Sequence, residues 1–492
     1  MARKPTILFV AIIPSDYSPY MAASYGMQRT FDLLPHKHSV LSLVAWLRDN
    51  GCDGHYVWID KPDEVGFSVI EKAIDLCEPD AFGFSLVTEE MMSHYEVIKG
   101  LKERYPKIPV IIGGPHVSAL PVHTLENFPR IDIVAIGEGE RTLTEILVRL
   151  RAGQEIFELG DIPGVCLRDL KGEISKGPPR DGIKDINILP DPAYDLIFDT
   201  DSPPDERSAY PLVCSYGCYF HCTFCSVEHG NYRNLTPVRV ADRMERAVRK
   251  YGVEYFAIRD SFWPPTREWL DKFCDEIEKR KMNVKFHFQT RAGTLTEKHN
   301  LRLKKLGAQA IAIGVEAGNP EILKAIRKGI SIRQARETVE SLNSAGIFSI
   351  AFFIFGNQGE NLSTIQESID LSLELNASVS FYHVLYPLPG AVAYDFVPRP
   401  DKEWWMGKAP LPSICEVPVQ QLERLATEAF IKYPLRWEWL KQHVLSGRMS
   451  AEFRSIARRI YFVHLRKYLL GTAERFGPFR GAIRGVKSAV RR

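Results

Sequence analysis

The sequence predicts an α/β protein made of two parallel sheets in series, and three observations carry that expectation. Apolar runs of strand length alternate with stretches of helical period from residue 7 to residue 152. The alternation restarts at Pro211, after a proline-rich interval, and runs through six further repeats. Past Asp401 the strand pattern fades into aromatic and basic sequence of helical character.

In the first series the expected strands are 7–13, 56–60, 81–86, 110–113 and 133–136, with helices at 39–49, 67–77, 90–105 and 141–152. Such repetition gives a doubly wound parallel sheet with helices on both faces. Its ligands sit beyond the carboxyl ends of the strands. Glycines fall there: Gly113-Gly114-Pro115-His116 follows one strand and Gly137-Glu138-Gly139-Glu140 the next. Pro178-Pro179, Pro190-Asp191-Pro192 and Pro203-Pro204 mark an irregular linker. In the second series strands are expected at 211–215, 255–259, 285–290, 310–315, 349–355 and 379–386, with helices at 238–251, 267–280, 332–345 and 362–375. Six such units make a partial (β/α)6 barrel of the TIM type, with the loop after its first strand on the carboxyl face where barrel chemistry sits. The expected organisation is a doubly wound domain over 1–154, a linker over 155–208, a barrel over 209–400 and a helical, basic region over 401–492.

Length and composition agree. A chain of 492 residues holds two or three domains. With 45% hydrophobic and 25% charged residues it has the make-up of a globular protein rather than a disordered one. Nine cysteines are few for this length and fit no disulfide framework, which points to a reducing, cytoplasmic setting. The opening Met-Ala-Arg-Lys-Pro and the apolar run 6–13 mimic a signal peptide, but the run is short and meets Pro14-Ser15-Asp16, so a buried first strand is expected instead. No apolar run reaches membrane-spanning length.

The chemistry is concentrated in Cys218, Cys222 and Cys225, spaced C-x3-C-x2-C. Three thiolates can hold three irons of a four-iron, four-sulfur cluster and leave the fourth iron open to a small molecule. A structural zinc site needs a fourth ligand, which His221 or His229 would have to supply. Cys52, Cys77, Cys166, Cys214, Cys274 and Cys415 have no paired spacing and read as packed thiols.

The cysteine spacing, with the aromatic Phe224 before the last cysteine, resembles the signature of radical S-adenosylmethionine (SAM) enzymes. In that family the open iron chelates the amino and carboxylate groups of SAM, and electron transfer yields a 5′-deoxyadenosyl radical. The resemblance implies a 4Fe–4S cluster, SAM, and an external one-electron reductant such as flavodoxin or ferredoxin. It extends to further segments. Gly314-Val315-Glu316-Ala317-Gly318 is similar to a segment whose glutamate holds the SAM ribose; by itself Glu316 also reads as a helix-initiating acid. Gln289-Thr290-Arg291 stands where relatives place a polar residue near the SAM carboxylate or ribose; Arg291 alone reads equally as a surface ion pair. Asp260, in Ile258-Arg259-Asp260-Ser261-Phe262, resembles the contact to the SAM amino group in cobalamin-linked members. Gly356-Asn357-Gln358-Gly359-Glu360 and Pro387-Leu388-Pro389-Gly390 resemble two further elements, the first with Gln358 where proline is usual.

The first domain resembles the cobalamin-binding domains that precede this barrel in one subgroup, through Ser85-Leu86-Val87-Thr88 and the two glycine segments. Ser85 and Thr88 would offer hydroxyls, and Gly113, Gly114, Gly137 and Gly139 with Glu138 would let backbone approach a large corrinoid. Asp53-Gly54-His55 begins like the Asp-x-His-x-x-Gly of a cobalt-ligating histidine, but Trp58 stands at the glycine position. The resemblance therefore implies cobalamin without a histidine lower ligand, with His55 an ordinary strand residue.

The implied activity is cobalamin-dependent radical methylation of an unactivated carbon, through the deoxyadenosyl radical and methylcobalamin. The alternative is a radical cyclase or rearrangement enzyme acting on a tetrapyrrole, lipid or other hydrophobic precursor, as in the anaerobic magnesium-protoporphyrin monomethyl ester cyclases. Trp263, Tyr382, His383 and Tyr386 are candidates for lining the substrate space, with packing as the competing role. Methylthiolation of transfer RNA would need a further cysteine set in the first domain, where only Cys52 and Cys77 stand.

The net charge of +2 hides an asymmetry: residues 453–492 carry eleven Lys/Arg against one acid, Glu474, hence +10, and the remainder −8. Ile456, Ile460, Val463 and Leu470 lie at helical spacing beside Arg458, Arg459, Arg466 and Lys467. A peripheral contact with an anionic membrane surface suits this pattern, as does a helical cap with a solvated basic face. No nucleic-acid recognition motif accompanies the charge, and no nucleic acid is expected.

Overall fold

The computed structural model describes residues 3–13, 37–200, 209–227, 230–447 and 451–469. His229, Pro14-Ser15-Asp16, Pro203-Pro204, Leu470 and the rest of the basic tail lie outside the described residues. Among the described residues the chain divides into two compact units, residues 3–13 with 37–200 and residues 209–469.

The first unit is a seven-stranded sheet in the order β2-β1-β3-β4-β5-β6-β7. Its strands are β1 (Thr6–Ile12), β2 (Asp53–Ile59), β3 (Ala81–Ser85), β4 (Val110–Gly113), β5 (Ile133–Ala135), β6 (Val165–Arg168) and β7 (Ile174–Lys176). The first five are parallel. β1 is buried along almost its whole length, as a central strand covered on both faces must be. Helices His38–Asp49, Glu64–Cys77, Met91–Arg104 and Gly139–Arg151 connect the strands, as the periodicity predicts. The strand order reverses direction between β1 and β3, which opens a ligand crevice at their carboxyl ends.

Part of the segment expected to be an irregular linker is ordered. β6 and β7 form an antiparallel hairpin that extends the sheet from β5. The turn residues Asp169 and Gly172 close it, with Gly172 at φ 82°. The strands are only four and three residues long, too short for a clear alternation.

The second unit carries six parallel strands in the order β15-β14-β13-β12-β11-β8, an open barrel wall. They are β8 (Tyr210–Leu212), β11 (Tyr255–Ile258), β12 (Lys285–Arg291), β13 (Ala308–Glu316), β14 (Phe348–Phe355) and β15 (Val379–Val384). Between β8 and β11 a small antiparallel ladder, β9 (Ser215–Tyr216) on β10 (Arg233–Asn234), closes the base of the cysteine loop. Helices Pro237–Tyr251, Arg267–Lys279, Glu297–Lys305, Ile332–Ser344 and Leu362–Leu375 follow the strands. Most begin at a Thr, Ser or Asn whose side chain accepts a backbone N–H of the first turn.

Beyond β15 the chain is helical. In the helix Ala451–Leu469, Ile456, Ala457, Ile460 and His464 are buried, and His464 Nδ1 lies 3.2 Å from the Ile431 carbonyl oxygen. The apolar stripe of this helix is thus covered by protein, as in a helical cap, while Arg458 and Arg459 remain exposed. No described helix is long and apolar enough to cross a membrane.

Candidate functional site

The cysteine loop leaves β8 and is held at several points. Leu235 N–H donates to the Cys214 carbonyl at 2.8 Å and Gly230 N–H to the Cys218 carbonyl at 3.0 Å. Cys225 N–H donates to the Cys222 carbonyl at 3.1 Å. Cys222 is buried, whereas Cys218 and Cys225 are half-buried. Burial pushes the Cys218 and Cys225 thiols up; the sulfurs feel one another's charge, and the Lys328 ammonium pulls both back down. Phe224 packs on a small core of Ala317, Ile322, Leu323 and Ile326. Among the described residues no three His, Cys, Asp or Glu side chains converge on a single ion. Thiolates bound to separate irons of one cluster do not require that convergence, whereas a zinc site does.

Three charged residues stand at the carboxyl ends of the next strands. Asp260, just past β11, is 2% exposed. Its Oδ1 accepts the N–H groups of Cys214 and Ser215 at 2.9 and 2.7 Å. Its Oδ2 is buried without a hydrogen-bond partner among the described residues, and burial pushes the carboxyl up to about 7. A buried, unsatisfied carboxylate oxygen suits a ligand ammonium. Arg291 ends β12, and its guanidinium lies 3.7 Å from the Phe220 ring centroid. Burial lowers its pKa, and the nearby Cys222 and Cys218 sulfurs and Glu316 oppose that.

Glu316 ends β13 in the left-handed region, at φ 72°, beside a register shift in the β13–β14 pairing. Its Oε1 accepts from the Lys328 ammonium at 2.8 Å, both side chains being nearly buried. A Cβ at Gly314 would lie 2.3 Å from that oxygen and 2.7 Å from Lys328 Nζ. The glycine is therefore needed by the ion pair. Lys328 was not foreseen from sequence: it sits in an ordinary basic run, twelve residues from its partner.

Glu360 serves its own loop. Its Oε2 accepts the N–H groups of Gly356 and Asn357 at 2.7 and 2.8 Å, which ties the turn after β14. Of the residues considered for the substrate space, Trp263 is fully buried against Trp269, Phe273 and Phe288 and is a packing residue. Tyr382 is also buried, its hydroxyl 2.5 Å from Ser372 Oγ. His383 lies beside Phe352 and Phe381 in an aromatic row on β14 and β15. Tyr386 meets Trp404 edge-on.

In the first unit the expected residues all lie at the carboxyl edge of the sheet. Ser85 ends β3, its hydroxyl 3.1 Å from Ser39 Oγ and its carbonyl accepting from Lys37 at 2.6 Å. Thr88 is buried, with its hydroxyl 3.1 Å from His116 Nδ1, so it faces the protein rather than the crevice. Gly113 ends β4, and Gly114 adopts φ 106°, where a Cβ would strike the Leu86 carbonyl oxygen at 2.4 Å. Gly137, at φ 77°, has open space where its Cβ would be, and its N–H donates to Ser118 Oγ. Glu138 accepts the Ile183 N–H at 2.8 Å. Gly139 begins the following helix against Leu43. Bare backbone beside open space at this edge fits a large planar ligand. His55 is exposed on β2, the edge strand, far along the sheet order from β4 and β5.

Comparison with known proteins agrees with this geometry. The radical SAM superfamily model matches residues 212–372, and the B12 binding domain model matches residues 27–147. Residues 212–372 thus have the sequence character of a radical SAM domain, and the chain is an enzyme. A B12-binding domain precedes the radical SAM domain in the same chain, over residues 27–147. An uncharacterized methyltransferase of Pyrococcus horikoshii is 26% identical over 383 residues, covering 76% of this chain and 83% of the relative. The anaerobic magnesium-protoporphyrin IX monomethyl ester cyclase of Rubrivivax gelatinosus is 24% identical over 435 residues, covering 83% and 76%. Among solved structures, the radical S-adenosylmethionine methyltransferase TsrM from Kitasatospora setae, with cobalamin and a 4Fe–4S cluster bound, shares the fold. Its TM-score is 0.63 at 18% identity, over 79% of this chain and 74% of that one.

Proposed function

We propose that this chain is a cobalamin-dependent radical SAM methyltransferase that methylates an unactivated carbon of a small molecule. The observation that carries the reading is one cluster of groups at the carboxyl ends of β8, β11, β12 and β13. The loop of three cysteines carries Phe220 against the buried Arg291 and Phe224 near the buried Lys328, and a buried carboxylate, Asp260, with one oxygen unsatisfied fastens its base. The same chain brings a B12-binding domain.

Cys218, Cys222 and Cys225 would ligate the cluster, with Phe224 packing the loop against the barrel. Asp260 Oδ2 would receive the SAM ammonium, Arg291 its carboxylate or ribose oxygens, and Glu316 the ribose hydroxyls. Ser85, Gly113, Gly114, Gly137, Glu138 and Gly139 would frame cobalamin without a histidine lower ligand, and Thr88, turned onto His116, would support that edge from behind. Bound there, the cluster passes single electrons to SAM and the corrinoid carries a methyl group. The protein's part is to hold the loop through Asp260, neutralise ligand charge in a dry setting, and keep water from the reacting atoms.

Likeness to the Rubrivivax gelatinosus cyclase supports a second reading, ring closure or rearrangement of a hydrophobic precursor. A lipophilic substrate and a peripheral membrane contact through the basic tail belong with that reading. Both readings take electrons from an external reductant such as flavodoxin or ferredoxin.

The test is anaerobic reconstitution with iron, sulfide and hydroxocobalamin, followed by metal analysis and reaction with SAM under a reductant. About four irons and one cobalt per chain are expected, with formation of 5′-deoxyadenosine and S-adenosylhomocysteine. Iron without cobalt, and 5′-deoxyadenosine without S-adenosylhomocysteine, would favour the second reading. With candidate substrates, methyl-labelled SAM separates the two directly, because cyclisation transfers no label.

A further inference from the structure

Four consecutive residues, 326–329, border the cysteine loop, Glu316 and Arg291. They follow the helix Pro320–Ala325. The Ile326 carbonyl accepts the Thr223 N–H at 3.0 Å, inside the cysteine loop. The Arg327 carbonyl oxygen lies 3.8 Å from Cys222 Sγ, and Arg327 itself adopts φ 52°. The Lys328 ammonium meets Glu316 and stands 5.8 Å from the Phe224 ring centroid. Gly329, at φ 63°, leaves room that a Cβ would deny, since that atom would lie 2.7 Å from an Arg291 nitrogen. One turn of chain thus joins the cysteine loop to the ends of β12 and β13.

Lys328 is the buried charge of this turn, Arg327 being exposed. Glu316 is 8% exposed at its side chain and Lys328 10%. A carboxylate so placed gives up hydration that an adjacent cation offsets. The ammonium engages Oε1, which leaves the other oxygen for a ligand. The pair lies over the bare backbone of Gly314, so its position is set by the strand rather than by flexible neighbours. A fixed cation near a centre that gains an electron stabilises the reduced form.

We infer that Lys328 is a positioning residue of this centre: it fixes the Glu316 carboxylate for the SAM ribose and favours one-electron reduction of the cysteine-bound cluster by an external low-potential donor. This rests on the radical SAM reading above.

The experiment compares wild type with Lys328→Met and Lys328→Arg, each as the full chain reconstituted with iron and sulfide. Iron per chain, SAM affinity and the cluster midpoint potential, followed by electron paramagnetic resonance, are read for each. Lys328→Met is expected to load iron as wild type does, to bind SAM about tenfold to a hundredfold more weakly, and to show a more negative midpoint. Lys328→Arg should restore the midpoint and part of the affinity. If Lys328→Met does not load iron, Lys328→Gln decides, because it keeps a donor to Glu316 without the charge. Its midpoint should fall while SAM affinity stays nearer wild type. Wild-type affinity and midpoint in an iron-loaded neutral variant would overturn the inference and leave the radical SAM reading standing. A wild-type chain that loads no cluster, or whose cluster does not cleave SAM, would overturn both.

Discussion

The carboxylate of Asp260 accepts the Ser215 N–H at 2.7 Å, fastening the end of β11 to the strand from which the cysteine loop departs. The same oxygen takes the Cys214 N–H. Asp260 therefore braces the loop with one oxygen, while the other is buried without a hydrogen-bond partner among the described residues.

The two roles separate by substitution. Asp260→Asn keeps an acceptor for the amides but replaces the free oxygen or its charge. Iron loading should stay near wild type while SAM binding weakens at least tenfold, about 1.4 kcal/mol. Asp260→Ala strands two buried amides, a cost of about 1–3 kcal/mol each, and should also lower iron per chain. Metal analysis with a SAM titration checks both outcomes.

Replacing Cys222 with alanine should abolish the cluster and SAM cleavage together. Its thiol is the buried one of the three and sits nearest the 326–329 turn. The visible absorption of the reconstituted protein and assay of 5′-deoxyadenosine read the result. Full cleavage by that variant would sink the ligand assignment.

Glu360 sets a pH dependence of stability. Burial pushes its carboxyl up to about 7 from an ordinary 4.5. Between those values the folded chain holds a proton that the unfolded chain has released, so stability falls as pH rises through that window. Asp260, pushed up to about 7 from 3.8, acts in the same direction. The melting temperature should therefore decline from about pH 5 to about pH 7.5. Glu360→Gln, which retains an oxygen for Gly356 and Asn357, should decline less. An equal decline in that variant would contradict the assignment.

Two glycines at the carboxyl edge of the first sheet should respond differently to alanine. At Gly114 the new Cβ would strike the Leu86 carbonyl oxygen, so the β3 and β4 loops must separate. Gly114→Ala should cost about 1–3 kcal/mol from backbone strain alone, and lower cobalt retention. At Gly137 the space is open, and Gly137→Ala should cost about 1–2 kcal/mol for its left-handed backbone. Thermal melts and cobalt content after desalting distinguish the two.

The parts legible in the sequence were those with a local code. Helix 362–375 is set by Asn361, whose side chain takes the N–H groups of Ser363 and Thr364, and its bounds are those the pattern gives. Strand β4 is a buried apolar run ended by glycine, and it too lies where expected. The cysteines were readable because ligand spacing is a chain property. Lys328 was not, because its meaning comes from Glu316 twelve residues away and from burial that only the folded barrel supplies. The basic tail was half legible. Its helical period was visible, but the protein surface covering Ile456 and Ile460 was not.

β8 is three residues long and, among the described residues, has a strand neighbour on one side only, β11. Such an edge opens at lower free-energy cost than strands held on both sides. The cysteine loop hangs from it. Cofactor assembly can therefore proceed on a barrel that is already folded: brief detachment of one short strand frees the thiols while β11 to β15 stay paired. The same event in reverse makes cluster loss a local process. Amide exchange at Leu212 should consequently be faster than at Ile313, and should slow when the cluster is in place.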